Sequence, residues 1–420
     1  FRVFVENCRF SLGHPEPSMA GPDTRDWHHF KKQFDSLHKA IATWITNQPN
    51  QERVDREYLL QAIGFRGYRT GLIQRFPTPA IPYARNSDAA ADLKKLLEDT
   101  SGGYLAVVGP AGVGKSTLVQ DILGGPDYPF FIPYYAFLPD DPGTTRDRSE
   151  ALTFFQDVVG RLEKLFAPRY SLDIADISEG REALREQMAK AHEQYVIQGR
   201  KTVLLIDGID HVAREVGLQA SVLNELPDPA DIPEGFIIVL GSQPQGLEAG
   251  TIPQNVAYSV NAANGRRIAV DGLARADVFA IANQFDKPTS NEEREELYQS
   301  CQGNPLILTY TLNLYRSSEA ITVAEAIGQL GAYAGDVDQY YAGRLGTVLA
   351  NASNRELLGL LCRAAPTIPV AWLRSWPERL AIENLYTGAL APFMKDEDGN
   401  LQFIHNSLVS FLKVESRSKI

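Results

Sequence analysis

The sequence predicts an α/β fold, a mostly parallel sheet flanked by helices, followed by a small helical domain and a winged helix. Three observations carry that expectation. A short apolar run, Tyr104 to Val108, leads into the glycine-rich turn Gly109-Pro110-Ala111-Gly112-Val113-Gly114-Lys115-Ser116. A second apolar run, Val203 to Ile206, ends in the acid Asp207. Strand-like and helix-like stretches alternate up to about residue 272, after which helical periodicity takes over.

At 420 residues the chain is long enough for several packed units. Its 41 basic and 52 acidic side chains give a net charge of -11, the wrong sign for a protein that coats nucleic acid by default. Cys8, Cys301 and Cys362 are odd in number and far apart, so they form no readable disulfide framework or zinc knuckle, and a reducing cytoplasmic setting fits them best. No apolar run approaches the roughly 20 residues that a membrane-spanning helix needs, and no membrane partner is expected. The opening on Phe1 and the stop at Ile420 suggest a piece of a longer polypeptide.

Taken in order, residues 1–82 read as a partly helical connector or the tail of an effector domain. They hold a strand-like run, Phe1 to Val5, a loop from Gly13 to Pro22, and an amphipathic helix marked by Phe30, Phe34, Leu37, Ile41 and Trp44. A second helix is expected over Val54 to Ile63. His14, His28, His29 and His38 match no metal-ligand spacing and read as exposed helix residues. Pro77, Pro79 and Pro82 disfavour both helix and central strand and mark a linker.

Residues 83–272 should hold the sheet, with a helix over Ser87 to Glu98 and strands at Tyr104 to Val108, Val203 to Ile206, Phe236 to Leu240 and Val256 to Val260. Helices over Glu150 to Phe166 and Glu182 to Ile197 fill the gaps. Residues 273–335 should form a helical domain from Ala276 to Phe285, Glu292 to Cys301 and Leu306 to Tyr315. Residues 336–420 combine a helix, Arg355 to Ala364, with a hairpin of Ala391 to Met394 and Leu401 to Ile404, the pattern of a winged helix.

The turn Gly109 to Ser116 is a complete G-x-x-x-x-G-K-[ST] in its required place between strand and helix. Glycines let backbone N–H groups turn inward around phosphate oxygens, and the following helix adds its positive end. Lys115 is expected on the β- and γ-phosphates, the Ser116 hydroxyl on Mg2+, and Thr117 beside the α-phosphate. Asp207 at its strand tip would hold the metal, while Asp210 would orient or deprotonate the attacking water. Both acids could instead cap a following helix.

Further on, Gln243 after the strand Phe236 to Leu240 could sense the γ-phosphate or sit in a solvated turn. Gly303-Asn304-Pro305-Leu306 reads locally as a helix stop followed by a helix start. His405 lies between a strand and a helix, where an imidazole could donate to phosphate or make a local contact. Arg266 and Arg267, with Arg146 and Arg148, are candidates for a phosphate contact in cis or across an interface, a solvated loop being the simpler account of the first two.

The order of these motifs resembles the STAND class of signalling NTPases, including NACHT-type and NB-ARC-type proteins. The residues that carry the resemblance are the glycine-rich turn, Leu204-Leu205-Ile206-Asp207-Gly208-Ile209-Asp210, Gly303-Asn304-Pro305-Leu306 and Phe403-Ile404-His405-Asn406-Ser407. It spans Tyr83 to Leu412 and implies an AAA+/STAND-like P-loop ATPase domain, a helical lid and a winged helix. It also implies that Pro305 contacts the nucleotide and that His405 contacts the β-phosphate of ADP in a closed state. Three departures stand out. His211 replaces a further acid, Gln243 stands near the place of an arginine, and Tyr83-Ala84-Arg85 stands in for a hydrophobic-Gly-Arg motif that seats adenine.

The resemblance implies a slow Mg2+-dependent ATPase that rests with ADP and assembles into a homo-oligomer with ATP. The trigger would be a separate signal such as a phage protein or nucleic acid, and the effector an N-terminal domain of the same longer chain, in antiviral defence or immune-type signalling. Two other expectations remain open: a DNA-loading ATPase of the origin-recognition type, against which Asp396-Glu397-Asp398 in the hairpin speaks, and a scaffold that binds nucleotide without hydrolysing it.

Overall fold

The computed structural model describes residues 72, 74–76, 81–138, 145–166, 174–215, 218, 220–248, 250–317, 319–364, 367–376, 378–397 and 399–416. Everything below concerns the unit Gln74–Ile420. The expected strand, loop, helices and histidines of residues 1–71, and residues 77–80 of the proline-rich linker, lie outside the described residues.

Five strands form one sheet: β1 (Gly103–Val108), β2 (Phe131–Tyr135), β3 (Thr202–Asp207), β4 (Phe236–Ser242) and β5 (Arg267–Ala269). Their order is β2-β3-β4-β1-β5, and every neighbouring pair is parallel. β1, β3 and β4 are buried along their whole length, which is why they read as continuous apolar runs rather than alternating ones. Leu105, Val107, Val203, Leu205, Ile237 and Val239 pack on helices α1 (Ser87–Asp99) and α2 (Lys115–Leu123). On the other side lie α3 (Ala151–Phe166) and α4 (Ile177–Gln198), with Phe154 edge-on to Tyr134 at 5.0 Å.

One predicted strand is a helix. Residues Gln254–Ser259 are helical, and the fifth strand is Arg267–Ala269. A strand was expected over Val256 to Val260, but Val256 and Val260 are buried while Tyr258 is 72% exposed. That is the i, i+4 face of a helix, opened by Pro253 at its cap.

The helical region comprises α5 (Arg275–Gln284), α6 (Asn291–Cys301), α7 (Pro305–Arg316), α8 (Val323–Leu330) and α9 (Val337–Ala350). As expected, α6 stops before Gly303, and Pro305 opens α7, with the Asn304 side chain accepting from the N–H groups of Leu306 and Ile307.

After α10 (Ala352–Ala364), β6 (Thr367–Pro369), β7 (Met394–Glu397) and β8 (Asn400–Phe403) form a small antiparallel sheet in the order β6-β8-β7, and α11 (Asn406–Glu415) closes this part. The hairpin's first strand begins later than the sequence suggested. Ala391–Phe393 is a 3-10 turn, because Pro392 has no N–H to give a ladder. Helical and winged parts share one hydrophobic core, in which Tyr310 of α7 meets Phe393 at 4.8 Å and Tyr341 of α9 meets Phe411 of α11 at 5.6 Å.

Candidate nucleotide site

The sheet brings its functional residues to one end because all its strands point the same way. β4 lies between β1 and β3, with Val108 beside Ser242 and Asp207 beside Gly241. The glycine-rich turn after β1, Asp207 at the end of β3 and Gln243 after β4 therefore converge where ligands of open parallel sheets bind. Gly241 is the residue that makes room: a Cβ there would come within 2.0 Å of Asp207 Oδ1.

Within the turn, Gly112 and Gly114 take left-handed φ values of 72° and 93°, the backbone conformation that a loop needs to wrap its N–H groups around an anion. Lys115 Nζ donates to the carbonyls of Gly109 and Pro110, both at 2.9 Å, which holds the ammonium over the loop. Burial pushes its pKa down, against the pull of Asp207 and Asp210.

The two acids are driven in opposite directions. Burial pushes Asp207 up, although Ser116 hydrogen-bonds to it and Lys115 lies near. Burial also disfavours the charge on Asp210, but His211, Arg214, Lys115 and the Gln243 N–H together hold it below the usual carboxylate range. Gln243 grips that carboxylate twice, from its N–H at 3.3 Å and from Nε2 at 2.8 Å. Arg214 Nη2 approaches Asp210 at 3.6 Å, and His211 stacks on Phe137 at 4.3 Å. Burial lowers the His211 pKa to about 4, so the ring is neutral near pH 7.

A single cavity joins these groups to the helical and winged parts. Lys115, Ser116, Thr117, Asp207, Asp210 and Gln243 line it from the sheet side. Pro305 and Leu306 of α7 line it as well, together with Lys395 of β7, His405 and Ser407. Asn304 Nδ2 reaches the Ala111 carbonyl at 3.4 Å, and Ala111 itself packs against the core shared by the helical and winged parts. On the far side, Tyr83 and Ala84 enter the lining, anchored by the bidentate pair of Arg85 with Asp121 on α2, at 2.5 and 3.0 Å. Burial lowers the His405 pKa to about 4, with His211 and Lys115 adding to that shift.

The cradle fits a Mg2+-nucleotide. It has a loop curled by two left-handed glycines, a helix N-terminus, one ammonium, and the linked hydroxyl and carboxylate of Ser116 and Asp207. Among the described residues no cluster of three or more His, Cys, Asp or Glu side chains could hold a metal. Mg2+ would thus rely on Ser116, Asp207 and the nucleotide's own phosphates, the usual arrangement for this hard, hydrated ion.

The arginine candidates separate. Arg148 is buried and donates to the Tyr135 carbonyl at 3.1 Å, so it is not a residue that reaches a neighbour. Arg266 Nη1 donates to the Gly102 carbonyl at 3.1 Å, at the start of β1 and away from the glycine-rich turn, and Arg267 opens β5 instead of lying in a turn. Arg214 and Lys395 escaped the sequence reading, and Ser407 entered it only as the end of the motif Phe403 to Ser407, with no role of its own. Only Arg214 left a signal, its spacing of four from Asp210 in a short helical segment.

The model of the AAA domain family matches residues 98–249. No curated protein matches the chain. Among solved structures, a Signal Transduction ATPase with Numerous Domains carrying a tetratricopeptide repeat sensor, from Pyrococcus horikoshii, is 14% identical with a TM-score of 0.42. The alignment covers 82% of this chain but 44% of that one, so the chain spans less than half of that protein's length. A Walker-type ATPase of Pyrococcus abyssi is 14% identical over 80% of this chain and 99% of its own, with a TM-score of 0.42. The ORC2 protein of Aeropyrum pernix is 12% identical over 82% and 96%, with a TM-score of 0.40. No described helix is long and apolar enough to cross a membrane. Residues 98–249 form a P-loop ATPase domain of the AAA type.

Proposed function

We propose that the chain is an ATP-controlled regulatory switch that binds ADP in a closed form, opens with ATP, hydrolyses it slowly and assembles into a homo-oligomer that activates an effector. The observation that carries this reading is the shared cavity, in which P-loop, α7 and winged-helix residues face one space. A nucleotide held there touches three parts of the fold at once, so a ligand that differs by one phosphate favours different arrangements of those parts. Pro305 and His405 are the contacts proposed from the helical and winged sides, with Ser116 and Asp207 on Mg2+.

Slow turnover is supported by the state of Asp210. A carboxylate held low and already hydrogen-bonded to Gln243 is a weak general base. An effector in a longer chain, and a trigger such as a phage protein or nucleic acid, belong to the same proposal. A second reading, a DNA-loading ATPase, draws on the winged sheet β6–β8 next to an ATPase domain. It requires nucleotide-dependent duplex binding.

The test is the mass of the full chain in solution with no nucleotide, with ADP, and with a non-hydrolysable ATP analogue plus Mg2+, beside Lys115→Ala. Growth with the ATP analogue alone, lost in Lys115→Ala, is the expected result. An unchanged mass together with tight duplex binding would favour DNA loading.

A further inference from the structure

His405 opens the last helix, and its ring is held from behind by groups of the helical and winged core. The Ser407 N–H donates to His405 Nδ1 at 3.2 Å, and the Ser407 hydroxyl lies 2.7 Å from the same nitrogen. An amide N–H can only donate, so Nδ1 is an acceptor and the proton of the neutral ring sits on Nε2. Ser407 Oγ lies 2.8 Å from the Tyr341 hydroxyl, which lies 2.9 Å from that of Tyr310. With Ser407 donating to Nδ1, its oxygen accepts from Tyr341, and Tyr341 accepts from Tyr310, so each proton points toward the imidazole. Burial holds both phenols protonated, Tyr310 and Tyr341 alike lying above the ordinary range.

We propose that Ser407, Tyr341 and Tyr310 are positioning residues for His405, locking its imidazole in the Nε2–H form as a hydrogen-bond donor to a phosphate oxygen of a nucleoside diphosphate in the cavity. The proposal rests on the reading of that cavity as the nucleotide site. The chain also crosses the fold. Tyr310 lies on α7, whose first residue Pro305 lines the cavity, while Tyr341 lies on α9 and Ser407 on α11. Displacing α7 and α9 together from α11 would break the Tyr341–Ser407 link and free the ring to turn, so the donor is presented only while these helices stay docked.

ADP affinity is measured for the full chain and for His405→Ala, Ser407→Ala, the double variant, Ser407→Thr and Tyr340→Phe. Tyr340 is the control, since its buried hydroxyl has no hydrogen-bond partner among the described residues. Nitrogen NMR of the imidazoles, with the His405 signal assigned by its loss in His405→Ala, reads the tautomer directly. Ser407→Ala should weaken ADP about 3- to 10-fold, the effect of roughly one hydrogen bond, and cost nothing further once His405 is alanine. Ser407→Thr should restore affinity, Tyr340→Phe should leave it unchanged, and the Nε2–H signature should be pure in the parent and mixed in Ser407→Ala. Additive losses in the double variant, or an Nδ1–H ring in the parent, would overturn the proposal. Unchanged ADP affinity in His405→Ala, with the Nε2–H signature present in the parent, would sink the phosphate-site reading instead, and with it the purpose of the hydrogen-bonded chain.

Discussion

In the sheet region the groups at the cavity are placed by backbone, whereas in the helical and winged region they are placed by side-chain packing. Parallel strands carry Asp207 and Gln243 to one end, and two left-handed glycines curl the loop between β1 and α2. Opposite them, His405, Ser407 and Pro305 hold their places because an aromatic cluster of Tyr310, Tyr341, Phe393 and Phe411 docks α7 and α9 on the winged part. One wall is therefore fixed by covalent proximity and ladder bonds. The other depends on side-chain packing between the helices and the winged sheet.

The largest effect expected from this contrast is in the packed wall. Phe393→Ala removes a ring that is 1% exposed at the centre of the cluster and should cost roughly 3–5 kcal/mol. Thermal unfolding should show the helical and winged part melting ahead of the sheet, and a single transition at the parent temperature would break the comparison. Gly241→Ala attacks the backbone-built wall instead. With a Cβ 2.0 Å from Asp207 Oδ1, about 1–3 kcal/mol of strain is expected, together with weaker Mg2+ dependence of nucleotide binding. Both are read by titrating Mg2+-ADP and by denaturant unfolding.

Acid should act mainly through the histidines where the two walls meet. His211 and His405 have folded pKa values of about 4 against an ordinary 6.5, so below pH 6.5 the unfolded chain binds protons that the folded chain refuses. Stability without nucleotide is fully present above about pH 6.5 and falls as the pH drops toward about 4. His405→Gln should flatten that slope in a series of melting temperatures, and an unchanged slope would remove His405 from the account. The smallest effect is expected for Arg85→Ala. Its pair with Asp121 is half exposed and contributes about 0–1 kcal/mol to stability, but its loss should weaken nucleotide binding by loosening Tyr83 and Ala84.

The same contrast explains what could be read from the sequence. Gly109 to Ser116 and Val203 to Asp207 are local patterns whose geometry follows from strand, turn and helix, and the structure brings them together as expected. The helix boundary at Gly303-Asn304-Pro305 was equally local. Lys395 and the role of Ser407 could not be found this way, since their place at the cavity is set by the pairing of β7 with β8 and by the docking of α9 on α11. The strand expected at Val256 to Val260 failed because period two and period four coincide over five residues. His405 was legible locally only as an imidazole between a strand and a helix, able to meet phosphate or make a local contact, and its packed surroundings supply the physical detail that local reasoning lacked.

Amide hydrogen exchange of the full chain with and without Mg2+-ADP tests the central claim most directly, that one nucleotide is held by both walls. The account predicts new protection in residues 109–117 together with residues 305–309 and 405–410. Protection confined to 109–117, with the α7 and α11 segments exchanging as before, would contradict it.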